Sequence, residues 1–174
     1  DRSESDDPSP INVYGETKLE AERIVTQGRE DSVVVRTSFF GWNTREESSG
    51  LVEWMLHRLR EEGDLPGLAD VYFTPLYAGD LATLLFDLLE TEYRGTLHLG
   101  ASKRLDKYVF GECVADIFEY DPDDVRPITL GDLDFDAERG RDLSLDTSRA
   151  RRVLDRQMPS VENGLERMRE DGNR

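Results

Sequence analysis

Apolar positions along this chain switch repeatedly between two periods. Val33-Val-Val is a continuous apolar run with no helical spacing, which predicts a buried strand over 33–37. A further strand is expected over 96–99, and a short apolar run predicts one over 71–73, ended by Pro75. Between them the spacing lengthens. Leu51, Val52, Met55, Leu56 and Leu59 form a helical stripe that stops at Gly63. A helix is expected over 14–27, with Gly28 as a left-handed stop. Others are expected over 81–89, with Asp80 as N-cap, and over 108–118. Two more are expected over 147–154 and, after Pro159, over 161–168. The segments 39–50 and 126–141 read as irregular, and 64–67 as a turn. This alternation predicts an α/β fold with a mostly parallel sheet, in one unit spanning 1–174 behind an acidic leader loop over 1–12.

Charge narrows the partners. Asp and Glu number 38 against 22 Lys and Arg, for a formal charge of −16. Such a chain repels nucleic acid and anionic membranes. An acid excess of this size is also how salt-adapted proteins stay soluble, so a halophilic source is expected. Cys113 is the single cysteine, so an intrachain disulfide is excluded, and its apolar surroundings suit a buried structural thiol. No apolar run is long enough to span a bilayer, and a cytoplasmic location is the default expectation. His57 and His98 lack partners at metal spacing, and the acid runs at 121–124 and 132–138 lack the glycine and closing glutamate of a calcium loop. No metal is expected.

The chemistry-bearing pattern lies near the start. Tyr14-Gly-Glu-Thr-Lys18 sets a phenol and an ammonium four residues apart, on one face of the expected helix. A phenol can protonate a nascent alkoxide when a neighbouring cation favours its phenolate form. By itself the pentapeptide is also an ordinary surface helix face. Its context adds weight: Pro8-Ser-Pro-Ile-Asn-Val leads in, Leu19-Glu-Ala-Glu leads out, and the Val33 strand follows.

Further short motifs continue in series. They are Arg36-Thr-Ser38, Phe73-Thr-Pro75, Gly79-Asp-Leu-Ala82, Thr96-Leu-His-Leu-Gly100, Lys107-Tyr-Val-Phe110, Asp142-Leu-Ser-Leu-Asp146 and Gly164-Leu-Glu-Arg-Met168. Together and in this order they resemble the extended short-chain dehydrogenase/reductase family, and within it the dTDP-4-dehydrorhamnose reductases. The resemblance runs from Pro8 to Met168. It implies the C-terminal part of an NAD(P)-binding Rossmann-type reductase, with a small lobe that binds a sugar nucleotide. The family's Gly-rich phosphate turn has no counterpart in the sequence, and Ser3 and Ser5 lie in the leader rather than on a strand that could carry the family's catalytic hydroxyl. The chain is therefore expected to be the C-terminal half of a longer reductase or a shortened relative. NADP(H) or NAD(H) is the expected cofactor, bound well only with the missing half. An unpaired sheet edge and apolar face would then invite self-association, a homodimer included.

By the same resemblance, Tyr14 is the general acid, Lys18 also holds the cofactor ribose, and Ser38 lies at the cofactor. Phe39 stands where the family usually has Trp, which keeps an apolar sugar-facing surface but loses the indole donor and leaves the sugar open. Phe40 and Trp42 are weighed evenly between that surface and packing. Phe73 and Thr74 end a strand where such sheets place ligand contacts, although a buried corner fits as well. Arg139 aligns with an arginine that could grip a pyrophosphate, with Gly140 in place of the usual Pro. For Arg139 and Arg141 a plain salt bridge is slightly favoured. The function implied is reduction of a nucleotide-activated 4-keto-sugar. The alternatives are a sugar-nucleotide-binding or regulatory module that has lost the cofactor half and, less well supported, an epimerase.

Overall fold

The computed structural model describes residues 1–29, 31–43 and 49–172. Helix α1 (Val13–Gly28) leads into β1 (Val33–Thr37) and β2 (Phe39–Phe40). Helix α2 (Leu51–Glu62) is followed by β3 (Leu65–Leu68), β4 (Tyr72–Phe73) and β5 (Leu76–Tyr77). Helix α3 (Ala78–Leu89), β6 (Gly95–Leu99), β7 (Leu105–Asp106), α4 (Lys107–Ile117) and β8 (Val125–Ile128) come next. Helices α5 (Ser148–Val153) and α6 (Val161–Gly172) complete the order. The strands form four two-stranded ladders rather than one sheet. β1 pairs with β6, β2 with β5 and β3 with β8 in parallel, whereas β4 and β7 are antiparallel.

Local chemistry explains most boundaries. Asn12 caps α1 by accepting the Gly15 amide at 2.9 Å. Gly63 ends α2 at φ 58, the left-handed stop its position predicts. Gly28 does not play that part: Arg29 closes α1 in extended conformation. Asp80 is not an N-cap either. Tyr77 holds that position, and Asp80 turns inward from the first turn of α3, where it is 3% exposed.

All three stretches expected to be irregular or a turn contain strand, β2 at the start of 39–50 among them. β3 occupies the expected turn at 64–67, and β8 opens the segment expected to be irregular. Each strand belongs to a two-stranded ladder, so Pro66 and Pro127 can sit in it without breaking a ladder on both sides. Gly67 also lets β3 pass directly against α4, since a Cβ there would fall 2.6 Å from the Tyr108 Cα. The part of the expected 39–50 loop at 44–48 lies outside the described residues.

The core joins α2, α4 and α6 to the short ladders. Val52, Leu65, Phe110, Val114 and Leu165 are fully buried in it. α6 comes close to β5 and β2: a Cβ on Gly164 would stand 3.0 Å from the Tyr77 Cβ and 3.2 Å from the Phe40 ring. The opposite end is barely covered. α1 buries no residue, β1 is half-buried rather than buried, and Ile24, Phe86 and Leu89 point outward. The leader is tied down, with Arg2 in a parallel bridge to Leu145. The Glu4 carboxylate is buried, accepts the His98 amide at 3.1 Å and pairs with Arg149.

Candidate active site

α1 projects Tyr14 and Lys18 from one side, and the Lys18 Nζ lies 5.4 Å from the centroid of the Tyr14 ring. Both side chains are exposed. Gly15 leaves room for the leader to cross the first turn, since a Cβ there would meet the Pro10 Cβ at 3.1 Å. The Asn12 amide donates to the Glu138 carbonyl at 2.8 Å and so ties the start of α1 to a loop 126 residues away. Between them opens a cavity of about 560 Å³, lined by residues 11–14 and 137–139. Tyr14 and Arg139 therefore share one cavity. The Arg139 guanidinium lies 5.1 Å from the Phe135 ring centroid, and among the described residues no carboxylate pairs with it. Arg141 instead makes a salt bridge with Asp70, the plain role weighed for both arginines.

The remaining expected site residues divide. The Ser38 hydroxyl is buried just after β1, with no hydrogen-bond partner among the described residues. Phe39 is exposed, whereas Phe40 is buried in edge contact with Phe110. Trp42 is a packing residue: its indole donates to the Met168 carbonyl at 2.6 Å and meets Phe118 edge-on. Phe73 is 5% exposed and packs edge-on against Phe110 at 5.2 Å. Thr74 is buried, and its hydroxyl accepts the Leu145 amide at 3.2 Å. That contact leaves Thr74 holding the sheet to the segment after β8. His98 is fully buried, with Nδ1 3.0 Å from the Arg2 carbonyl. Burial, opposed in part by Glu4, holds its imidazole below the ordinary value. Burial and the nearby acids push the Cys113 thiol up. Among the described residues no cluster of His, Cys, Asp or Glu could hold a metal. No described helix is long and apolar enough to cross a membrane.

Sequence reasoning missed two features. Lys107, at the start of α4, lies with its Nζ 5.8 Å from the Phe73 ring centroid. Asp80 pairs with Arg167 and thereby joins α3 to α6. An acid inside the first turn of a strongly apolar helix was the available signal for the second.

Residues 2–173 match the family model described as the RmlD substrate binding domain. The chain belongs to that family. It is 31% identical over 165 residues to a probable low-salt glycan biosynthesis reductase of Haloferax volcanii, covering 93% of this chain and 55% of that protein. It is 28% identical to the methionine adenosyltransferase 2 subunit beta of Bos taurus, over 84% of this chain and 45% of that one. Among solved structures it is similar to a dTDP-4-dehydrorhamnose reductase from Bacillus anthracis in complex with NADP. The TM-score is 0.85 at 26% identity, over 97% of this chain and 59% of that one. The chain thus spans about half the length of the curated relatives it matches. The α/β architecture expected from the sequence is shared with these Rossmann-type reductases.

Proposed function

We propose that this chain supplies the proton donor and the substrate side of an NAD(P)H-dependent reductase of nucleotide-activated 4-keto-sugars. The observation that carries this reading is the cavity that brings Tyr14, at the start of α1, together with Arg139. A ketone lodged against Tyr14 would take its proton from the phenol. Lys18 sets a positive charge beside that ring. A reduced nicotinamide, when bound, supplies the hydride. The buried Ser38 hydroxyl and the Lys18 ammonium, without polar partners among the described residues, fit such a group, since each has hydrogen bonds to give. Phe39, exposed beyond Ser38, offers an apolar surface to the sugar.

A second reading is a sugar-nucleotide-binding or regulatory module. It is favoured by the likeness to a protein named as an enzyme subunit. Tyr14→Phe in the native protein separates the two. Removing a general acid should lower kcat by about 10²–10⁴-fold, with the fold unchanged because Tyr14 is 71% exposed. A kcat close to that of the unaltered protein would sink the reductase reading.

A further inference from the structure

Helix α1 carries Tyr14 and Lys18, yet little packing fixes its rotation. Of its residues only Gly15, Leu19 and Glu22 are half-buried, and the others are exposed. These three fall on one stripe, which faces the rest of the molecule. Tyr14 and Lys18 each stand one residue before a member of that stripe, so its direction sets theirs. Leu19 is its one large apolar residue, and a glutamate closes it where an apolar side chain would serve packing. That glutamate is closely held. The Arg36 guanidinium, from β1, donates its Nε to Glu22 Oε1 at 2.9 Å and its Nη2 to Oε2 at 2.6 Å. The two side chains are 25% and 23% exposed. Arg36 is braced in turn. It stands opposite His98 in the β1–β6 ladder, with its Nη1 3.5 Å from the His98 Nε2. The other ring nitrogen, Nδ1, faces the Arg2 carbonyl at 3.0 Å. A carbonyl only accepts, so Nδ1 carries the proton and Nε2 accepts from Arg36. An ion pair that only adds stability explains this less well. A buried pair gains little over apolar side chains of similar size, whereas a two-bond fork fixes direction as well as distance.

Resting on the reading of Tyr14 as proton donor, we propose that Arg36 and Glu22 are positioning residues: their fork, braced by His98, sets the rotation of α1 and so aims Tyr14 and Lys18 at the cavity. The leverage is large. Side-chain heads ride about 6 Å from a helix axis, so a turn of about 10° moves them about 1 Å. A 1 Å misplacement of a reacting group can cost about 10²-fold in rate. The Asn12 contact with the Glu138 carbonyl fixes where α1 begins, and the fork further along fixes which way it faces.

The test joins amide hydrogen exchange to steady-state kinetics on the native protein and on two variants, Glu22→Gln and Arg36→Lys. The first removes the carboxylate, and the second keeps the charge without the fork. In both, the amides of α1 should exchange about tenfold faster or more, as loss of one partner from a half-buried pair implies, while those of α4 stay as they are. With a nucleotide-activated 4-keto-sugar, kcat per folded molecule should fall about 10–100-fold. KM for the sugar should stay within about threefold, because Phe39 and Arg139 do not lie on α1. A pair that served stability alone would lower Tm and leave that kcat unchanged. Arg23→Met, which breaks the exposed Arg23–Glu20 pair on the same helix, should alter neither readout. Three results would overturn the proposal: α1 exchange in both variants matching the unaltered protein, kcat unchanged in both, or Arg23→Met acting as strongly as they do. A native protein that reduces no such sugar, or a Tyr14→Phe protein with normal kcat, would instead remove the reductase reading, and α1 exchange would still decide whether the fork holds the helix.

Discussion

Removing Arg167 should expose how α6 is fastened to the rest of the molecule. The guanidinium pairs with Asp80 Oδ1, while Oδ2 is buried with no partner among the described residues. The carboxylate side chain is 4% exposed and the arginine 47%. Stripping the partner from a fully buried ion pair costs about 3–5 kcal/mol, and from an exposed pair about 0–1 kcal/mol. With one partner buried and the other half in water, Arg167→Met should cost about 2 kcal/mol. For a domain of this size that is a fall in Tm of roughly 4–8 °C. Asp80→Asn should cost less, within about 1 kcal/mol, because it removes the charge whose desolvation dominates and keeps the shape. Burial, only partly offset by Arg167, holds the Asp80 carboxyl above its ordinary value. The native state therefore binds a proton at pH values where the unfolded chain has lost it, and this group's contribution to stability falls as pH rises through that window. The Arg167→Met deficit should accordingly shrink as pH drops toward about 4. Urea unfolding of both single variants and the double variant, across pH, gives the answer. An Arg167→Met protein as stable as the original, or an Asp80→Asn protein less stable than Arg167→Met, would refute the reasoning.

Other expectations concern the leader and the solvent. His98 is held below its ordinary value by burial, so the unfolded chain binds the extra proton first, and stability should drop as pH falls through about 6.5. His98→Gln should flatten that slope in pH-dependent melting, and an unchanged slope would speak against a buried neutral imidazole. With a formal charge of −16, self-repulsion should ease as salt screens it, so the unfolding midpoint should rise from low salt to molar KCl. Greater stability at low salt would remove the case for a salt-adapted protein.

The elements that were legible in the sequence are those whose signals are local. The helix expected over 14–27 falls on α1, the apolar run at 33–35 located β1, the strand expected over 96–99 falls on β6, and Gly63 stopped α2. Of the strands that escaped notice, β3 and β8 each carry a proline, which argues against a strand except in a ladder with a free side, and no local pattern reveals which strands have one. Asp80 looked like a cap because caps and buried first-turn acids share the same sequence context; its partner Arg167 lies 87 residues away. At the site, the Tyr14–Lys18 spacing was readable because a helix repeats. The approach of Arg139 to Tyr14 was not, because it depends on the Asn12 contact across 126 residues. Thr74 was itself an expected ligand contact and Trp42 an even choice, yet their polar atoms are committed to Leu145 and Met168, a matter of tertiary packing.

The most direct test of the account is to give the native protein a nucleotide-activated 4-keto-sugar and a nicotinamide cofactor deuterated at its transferable position, and to read the product by NMR. Reduction by a hydride, with Tyr14 as proton donor, requires deuterium at the sugar carbon that bore the ketone and its loss in Tyr14→Phe. Binding of the sugar nucleotide with no deuterium transferred would contradict this and favour a binding module, and an inverted sugar without net reduction would point to an epimerase.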